Sequence, residues 1–254
     1  MTGRGATEPR AAARRFDPDQ GSTGGGSTVT FTGTGLGGAT AVRFGDKPAT
    51  ITGNSATSVS VVPPSGAGVV EATVITPGGT SGPLPFHYIP PPVVVDVSPA
   101  SGPVAGGSTI TMAGRNLGTA ESVDFGGTVV TPTVVDDSQV TVLTPATAAG
   151  TVPLVVTTRG GIAEASYGFV DPPTVTAFSP PSGLPAGGTL VSITGTNLST
   201  PTGVTFDGLP ATFAVLSDTQ IAALAPAHEL GTAAIVVTTT GGSDAAPGVF
   251  VYVV

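Results

Sequence analysis

One spacing constrains this chain more than any other feature. Gly33, Gly114 and Gly195 lie 81 residues apart in both steps. Phe44, Phe125 and Phe206 keep that spacing, as do Val59, Val140 and Ile221, and Pro18, Pro99 and Pro180. A register held over four separate kinds of position is internal repetition, not composition. Around the glycines, the segments Gly25 to Leu36, Gly106 to Leu117 and Gly187 to Leu198 superimpose. The register slips only late in the unit. Gly78-Gly79 and Gly160-Gly161 are 82 apart, and Phe86 and Phe169 are 83 apart. Such slips fall in loops, where added length costs little.

The chain's 254 residues thus divide into three units, each of roughly 80 residues and able to enclose a core of its own. Apolar residues make 39% of the chain, but aromatics only 5% and Trp is absent, so Val, Ile, Leu and a few Phe must form each core. The β-branched excess favours strands. The 38 Gly and 25 Pro recur at fixed places between apolar alternations and read as turn punctuation. In the second copy the strands are predicted at Val93–Val97, Thr109–Ala113, Ser122–Phe125, Val129–Val135, Gln139–Leu143, Val152–Thr157 and Tyr167–Val170. Ile110 and Met112 point one way, and Thr109 and Thr111 the other. The inward set repeats as Val29/Ile110/Val191, Phe31/Met112/Ile193, Val42/Val123/Val204, Val74/Val156/Val237 and Phe86/Phe169/Phe250. Short strands with one apolar face each predict two-sheet sandwiches.

At this point the residues resemble a known family. Ser98-Pro99-Ala100-Ser101-Gly102-Pro103 through Leu117, then Val123-Asp124-Phe125-Gly126, is similar to the IPT/TIG domain pattern. The third copy repeats it from Ser179-Pro180 through Leu198, then Val204-Thr205-Phe206-Asp207-Gly208. The resemblance implies an immunoglobulin-like fold. It leaves function broad, since the family occurs in plexin-type receptors, in Rel-type transcription factors, beside carbohydrate-active enzymes and in bacterial and phage surface proteins. Position Gly35/Asn116/Asn197 alternates between the two residues that best tolerate a left-handed backbone, and reads as a turn after the second strand. The first copy departs at its start. Ala13-Arg14-Arg15-Phe16 stands where an apolar strand is expected, so that strand is doubtful and the first domain is expected to carry an exposed edge, open to self-association.

Charge narrows the partners. Net charge is −8, and Arg4, Arg10, Arg14 and Arg15 hold half of the basic residues. Beyond Arg15 only Arg43, Lys47, Arg115 and Arg159 face all but Glu8 of the sixteen acids. An acidic body repels phosphate backbones, so no nucleic acid is expected. Without Cys there is no disulfide and no thiolate chemistry. No apolar run reaches the ~18–20 residues of a membrane helix, and Met1 to Arg15 holds no secretory h-region.

No residue set points to catalysis. Gly33-Thr34-Gly35-Leu36-Gly37-Gly38 matches a dinucleotide loop in spelling, but a strand and not a helix follows it. His87 sits between Phe86 and Tyr88 and is expected to face solvent. His228-Glu229 lies in a loop without zinc-helix spacing. Asp136-Asp137 reads as turn chemistry in preference to a calcium site, and Asp171 beside a junction is the better calcium candidate. Asn197-Leu198-Ser199 is a glycosylation sequon on a structural asparagine.

The resulting expectation is an all-β chain of three tandem immunoglobulin-like β-sandwich domains in an elongated array. A basic leader spans 1–15, and domains span 16–90, 91–172 and 173–254. The Pro-rich junctions Ile89-Pro90-Pro91-Pro92 and Asp171-Pro172-Pro173 are read as stiff spacers. The expected role is a non-enzymatic spacer or adhesion protein for a protein or glycan partner, on a cell surface or a phage-like particle. The alternative is an accessory region of a carbohydrate-active enzyme system. No catalytic residue, cofactor, metal or membrane insertion is expected.

Overall fold

The computed structural model describes residues 10–254; residues 1–9 of the expected leader lie outside them. Every strand pairing stays within one of three β-sandwich domains. In the second domain one sheet runs in the order Val93–Ser98, Thr109–Arg115, Gln139–Leu143, Thr133–Asp136. The facing sheet runs Ser101–Pro103, Gly161–Val170, Gly150–Thr158, Ala120–Phe125, Thr128–Val130. The next strand along the chain, Ser101–Pro103, lies in the facing sheet, so the chain switches layers at Pro99.

The inward positions are where the periodicity places them. Ile110, Met112, Val123, Val140 and Val156 are wholly buried in the second domain, and their counterparts line the other two cores. Phe44, Phe125 and Phe206 each close the centre of a core. Burial of such a ring contributes roughly 1.5–3 kcal/mol.

One aromatic correspondence is corrected. Phe86 pairs opposite Val70, Tyr167 opposite Val152, and Phe250 opposite Ala233. Tyr88, Phe169 and Tyr252 pair opposite Gly68, Gly150 and Gly231. The structural columns are therefore Phe86/Tyr167/Phe250 and Tyr88/Phe169/Tyr252. Matching the letter Phe shifted the second copy by two residues, a full strand period, so both columns still point inward.

The first domain's first strand also differs from expectation. Ala12–Asp17 forms and pairs antiparallel with Val29–Thr34, burying Ala11 and Phe16. Its register shifts between Ala13 and Arg15, as it does between Val94 and Asp96 and between Val175 and Ala177 in the other domains. All three first strands thus bulge at one place. The repeat's glycines explain the close fit. A Cβ on Gly33, Gly114 or Gly195 would collide with the carbonyl oxygen of Ala12, Val93 or Thr174, because the first strand's backbone lies directly on the glycine. The edge of the first domain is accordingly occupied, as in its neighbours.

A third difference concerns Val129–Val135. That run breaks into Thr128–Val130 in one sheet and Thr133–Asp136 in the other. Pro132 sits at the break with no N–H to give to a ladder, and its ring is buried. The first domain has Ile51 there, and Lys47–Asn54 runs unbroken between the sheets.

Candidate functional site

The residues with chemistry to offer are scattered. His87 is exposed on strand Leu84–Ile89. His228, in another domain, is half-buried. Its ring stacks on Tyr252 with centroids 4.7 Å apart and planes 13° from parallel. Nδ1 lies 2.7 Å from the Glu229 carbonyl oxygen, which only an Nδ1–H can satisfy. Nε2 lies 3.7 Å from an Asp207 carboxylate oxygen. Among the described residues the imidazole packs on an aromatic ring, and its nitrogens face a carbonyl and a carboxylate. Nothing in the sequence marks this stack, because its members are 24 residues apart along the chain.

Asp136 is a turn residue. It accepts hydrogen bonds from the backbone N–H and hydroxyl of Ser138, both at 2.7 Å. Those donors, the hydroxyl first, hold its carboxyl below the ordinary carboxylate range. Asp137 accepts from the backbone of Asn116 and Gly118, and Asp218 from Ser199. Among the described residues no three His, Cys, Asp or Glu side chains gather as a metal site. The carbonyl of Asp171, and not its carboxylate, is what packs, against Gly241. The loop after Gly33 leads into strand Ala41–Phe44, with Leu36 fully buried.

Asn116 and Asn197 adopt φ of 58°, and Gly35 one of 64°. The asparagines do more than tolerate that turn. Asn116 Nδ2 donates to the Pro91 carbonyl and Asn197 Nδ2 to the Pro172 carbonyl, both at 2.9 Å. The amide of the Asn197 sequon is therefore committed to a linker.

Surface relief lies along the gap between first and last strands. In the first domain Arg14, Arg15, Asp19 and Pro85 border a groove of about 220 Å³. In the second, Val95, Asp96, Glu164 and Ser166 border the equivalent groove of about 350 Å³. One is predominantly basic and the other acidic. In the third, the Asp244 carboxylate accepts a hydrogen bond from the Val175 N–H at 2.8 Å across that gap. Elsewhere the outer face of each first sheet carries uncharged side chains such as Thr30, Ser60, Thr111, Thr141, Ser192 and Ala222. Neither groove places a histidine beside a carboxylate among the described residues. No helix of the described residues is long and apolar enough to cross a membrane.

Comparison with known proteins fits this architecture. The IPT/TIG domain matches residues 13–88, 92–170 and 173–252. Mouse fibrocystin-L is 36% identical over 111 residues, which are 42% of this chain and 3% of that protein. The plexin A4 extracellular region, domains 1 to 10, superimposes with a TM-score of 0.48 at 18% identity, over 90% of this chain and 23% of that one. The Bacteroides ovatus mixed-linkage glucan protein SGBP-B, solved with a heptasaccharide, gives a TM-score of 0.31 at 17% identity, over 97% of this chain and 64% of that one.

Proposed function

The chain belongs to the IPT/TIG domain family, and from that premise we propose that it is a non-enzymatic spacer and adhesion rod. The observation that carries this reading is the sameness of its parts. Three sandwiches repeat one core, one bulged edge and one left-handed corner at Gly35, Asn116 or Asn197, while their grooves and outer faces differ in charge and side chain. Selection for a single active site would concentrate polar chemistry in one copy. Here each copy presents a surface, and the acidic, Thr-rich exterior suits a protein or glycan partner at a cell surface or on a particle.

The test has two arms. The full chain is offered to a glycan array and to surface proteins from its source, and is assayed for glycoside and ester hydrolysis. Saturable binding without turnover supports the reading. Turnover that copurifies with the chain and is lost in His228→Ala overturns it. Small-angle scattering checks the rod. A radius of gyration clearly above the ~18 Å of a compact globule of this length is expected.

A further inference from the structure

We propose that the two junctions are splinted joints, with no free linker residue, so that the rod holds its domains at a fixed angle and azimuth. The contacts that define the splint occur at both joints. The last strand of the first domain ends at Ile89 and the first strand of the second begins at Val93. Only Pro90, Pro91 and Pro92 lie between, and none has an N–H or a free φ. The following domain grips this segment from two sides. Its hairpin turn Arg159-Gly160 receives it: a Cβ on Gly160 would collide with the Pro90 carbonyl oxygen and press on Ile89. From the other side Asn116 Nδ2 holds the Pro91 carbonyl at 2.9 Å.

The second joint repeats the arrangement. Val170 ends one strand and Thr174 begins the next. A Cβ on Gly241 would collide with the Asp171 carbonyl oxygen and crowd that of Val170. Asn197 Nδ2 holds the Pro172 carbonyl at 2.9 Å. The turn glycine therefore touches the terminal strand residue of the preceding domain itself. Rotation about the joint must move either a core strand or a clamped proline segment. A plain Pro-rich tether would stiffen the chain along its length and leave its ends to pivot; this arrangement anchors the ends as well.

The first joint carries an additional contact. Pro18, Gln20, Gly21 and Ser27 of the first domain face Glu121, Thr158 and Arg159 of the second across a groove of about 320 Å³. Glu121 and Arg159 pair at 3.2 Å beside it. The second joint has Thr202 and Thr240 at those positions. The splint stands on contacts at the joints and holds whatever the rod carries or binds.

Because the chain has no Cys, introduced cysteines label it uniquely. Spin labels on Asp46→Cys and Thr128→Cys, both exposed, report the first joint by pulsed dipolar spectroscopy. The expected result is one narrow distance distribution, as sharp as that of a pair placed within a single domain. Asn116→Gly keeps the left-handed turn, as Gly35 shows, and removes only the clamp. It should at least double the distribution's width without lowering the melting temperature of the second domain. Gly160→Ala should broaden or shift the distribution further. A broad distribution in the parent chain, or a width unchanged in Asn116→Gly, overturns the splint. If Gly160→Ala fails to fold, the Asn116→Gly result decides alone.

Discussion

The second domain and its two neighbours solve one packing problem differently. In the first and third domains the last strand carries Phe then Tyr: Phe86 and Tyr88, Phe250 and Tyr252. Each phenylalanine lies inside the core, and each tyrosine sends its hydroxyl out to a proline carbonyl. Tyr88 donates to Pro64 at 2.7 Å and Tyr252 to Pro226 at 2.9 Å. The second domain reverses the order, with Tyr167 then Phe169. Tyr167 is buried against Gly102 and its hydroxyl has no partner. Phe169 stands where a hydroxyl would meet Pro145, the counterpart of Pro64 and Pro226. All three buried side-chain hydroxyls that lack a partner among the described residues, those of Thr119, Thr147 and Tyr167, belong to this domain. The comparison teaches that the repeat conserves shape more strictly than polar satisfaction, and that the middle domain is the least satisfied of the three.

The largest effect tests the shared part of that comparison. Phe125→Ala should destabilise the second domain by about 3–5 kcal/mol, the usual loss for a buried aromatic ring. Phe44→Ala and Phe206→Ala should do the same in their own domains. Domain-resolved hydrogen exchange under denaturant measures each. A loss below about 1 kcal/mol at any of the three would show that its ring does not hold the common core.

A smaller effect tests the part that differs, and here the sign matters. Tyr88→Phe and Tyr252→Phe each remove a made hydrogen bond and should cost about 1 kcal/mol. Tyr167→Phe removes an unmade one and relieves a buried hydroxyl, so it should stabilise the second domain by about 1 kcal/mol. The exchange Tyr167→Phe with Phe169→Tyr installs the neighbours' arrangement and should add to that gain. Destabilisation by Tyr167→Phe would mean that its hydroxyl has a partner, such as a bound water, and would erase the contrast between domains.

These cases also show what a sequence can and cannot disclose. Cores were legible because alternation and the 81-residue register reinforce one another, as Ile110, Met112 and Val140 illustrate. The aromatic columns were not, because letter identity and strand register disagree by one full period there, and both choices face inward. The first strand of the first domain was obscured by Arg14 and Arg15, which are exposed and carry no core signal. A signal was nevertheless present in Gly33, whose missing side chain makes sense only if a strand lies on it. Ser101–Pro103 was too short and too rich in Gly and Pro to be read as a strand, yet it pairs in parallel with Gly168–Val170. On the surface, neither the linker clamp of Asn116 nor the stack of His228 on Tyr252 could be read, because each depends on contacts between distant segments.

The smallest effect concerns a turn and separates the domains by pH. Asp136, Ser217 and Ser55 occupy the same turn position. Each accepts a hydrogen bond from the backbone N–H two residues on: Ser138, Thr219 and Thr57. The acceptor is a carboxylate only in the second domain. Its bonds to Ser138 lower the Asp136 pKa below the unfolded value. A depressed folded pKa gives stability that is present above the unfolded carboxylate range and is lost as pH falls through the folded pKa. The serine turns have no such titration. Acidification should therefore loosen the Asp136–Gln139 turn before the Ser217–Gln220 and Ser55–Ser58 turns. The group is fully exposed, so the effect is confined to the turn and reads best by NMR. The Asp136 carboxyl should titrate below the ordinary carboxylate range, and the Ser138 amide should shift with it. Asp136→Ser should abolish that shift while keeping the turn, because it recreates the neighbours' acceptor. A Ser138 amide that moves with pH in Asp136→Ser as it does in the parent would take the titration away from Asp136 and overturn this reading.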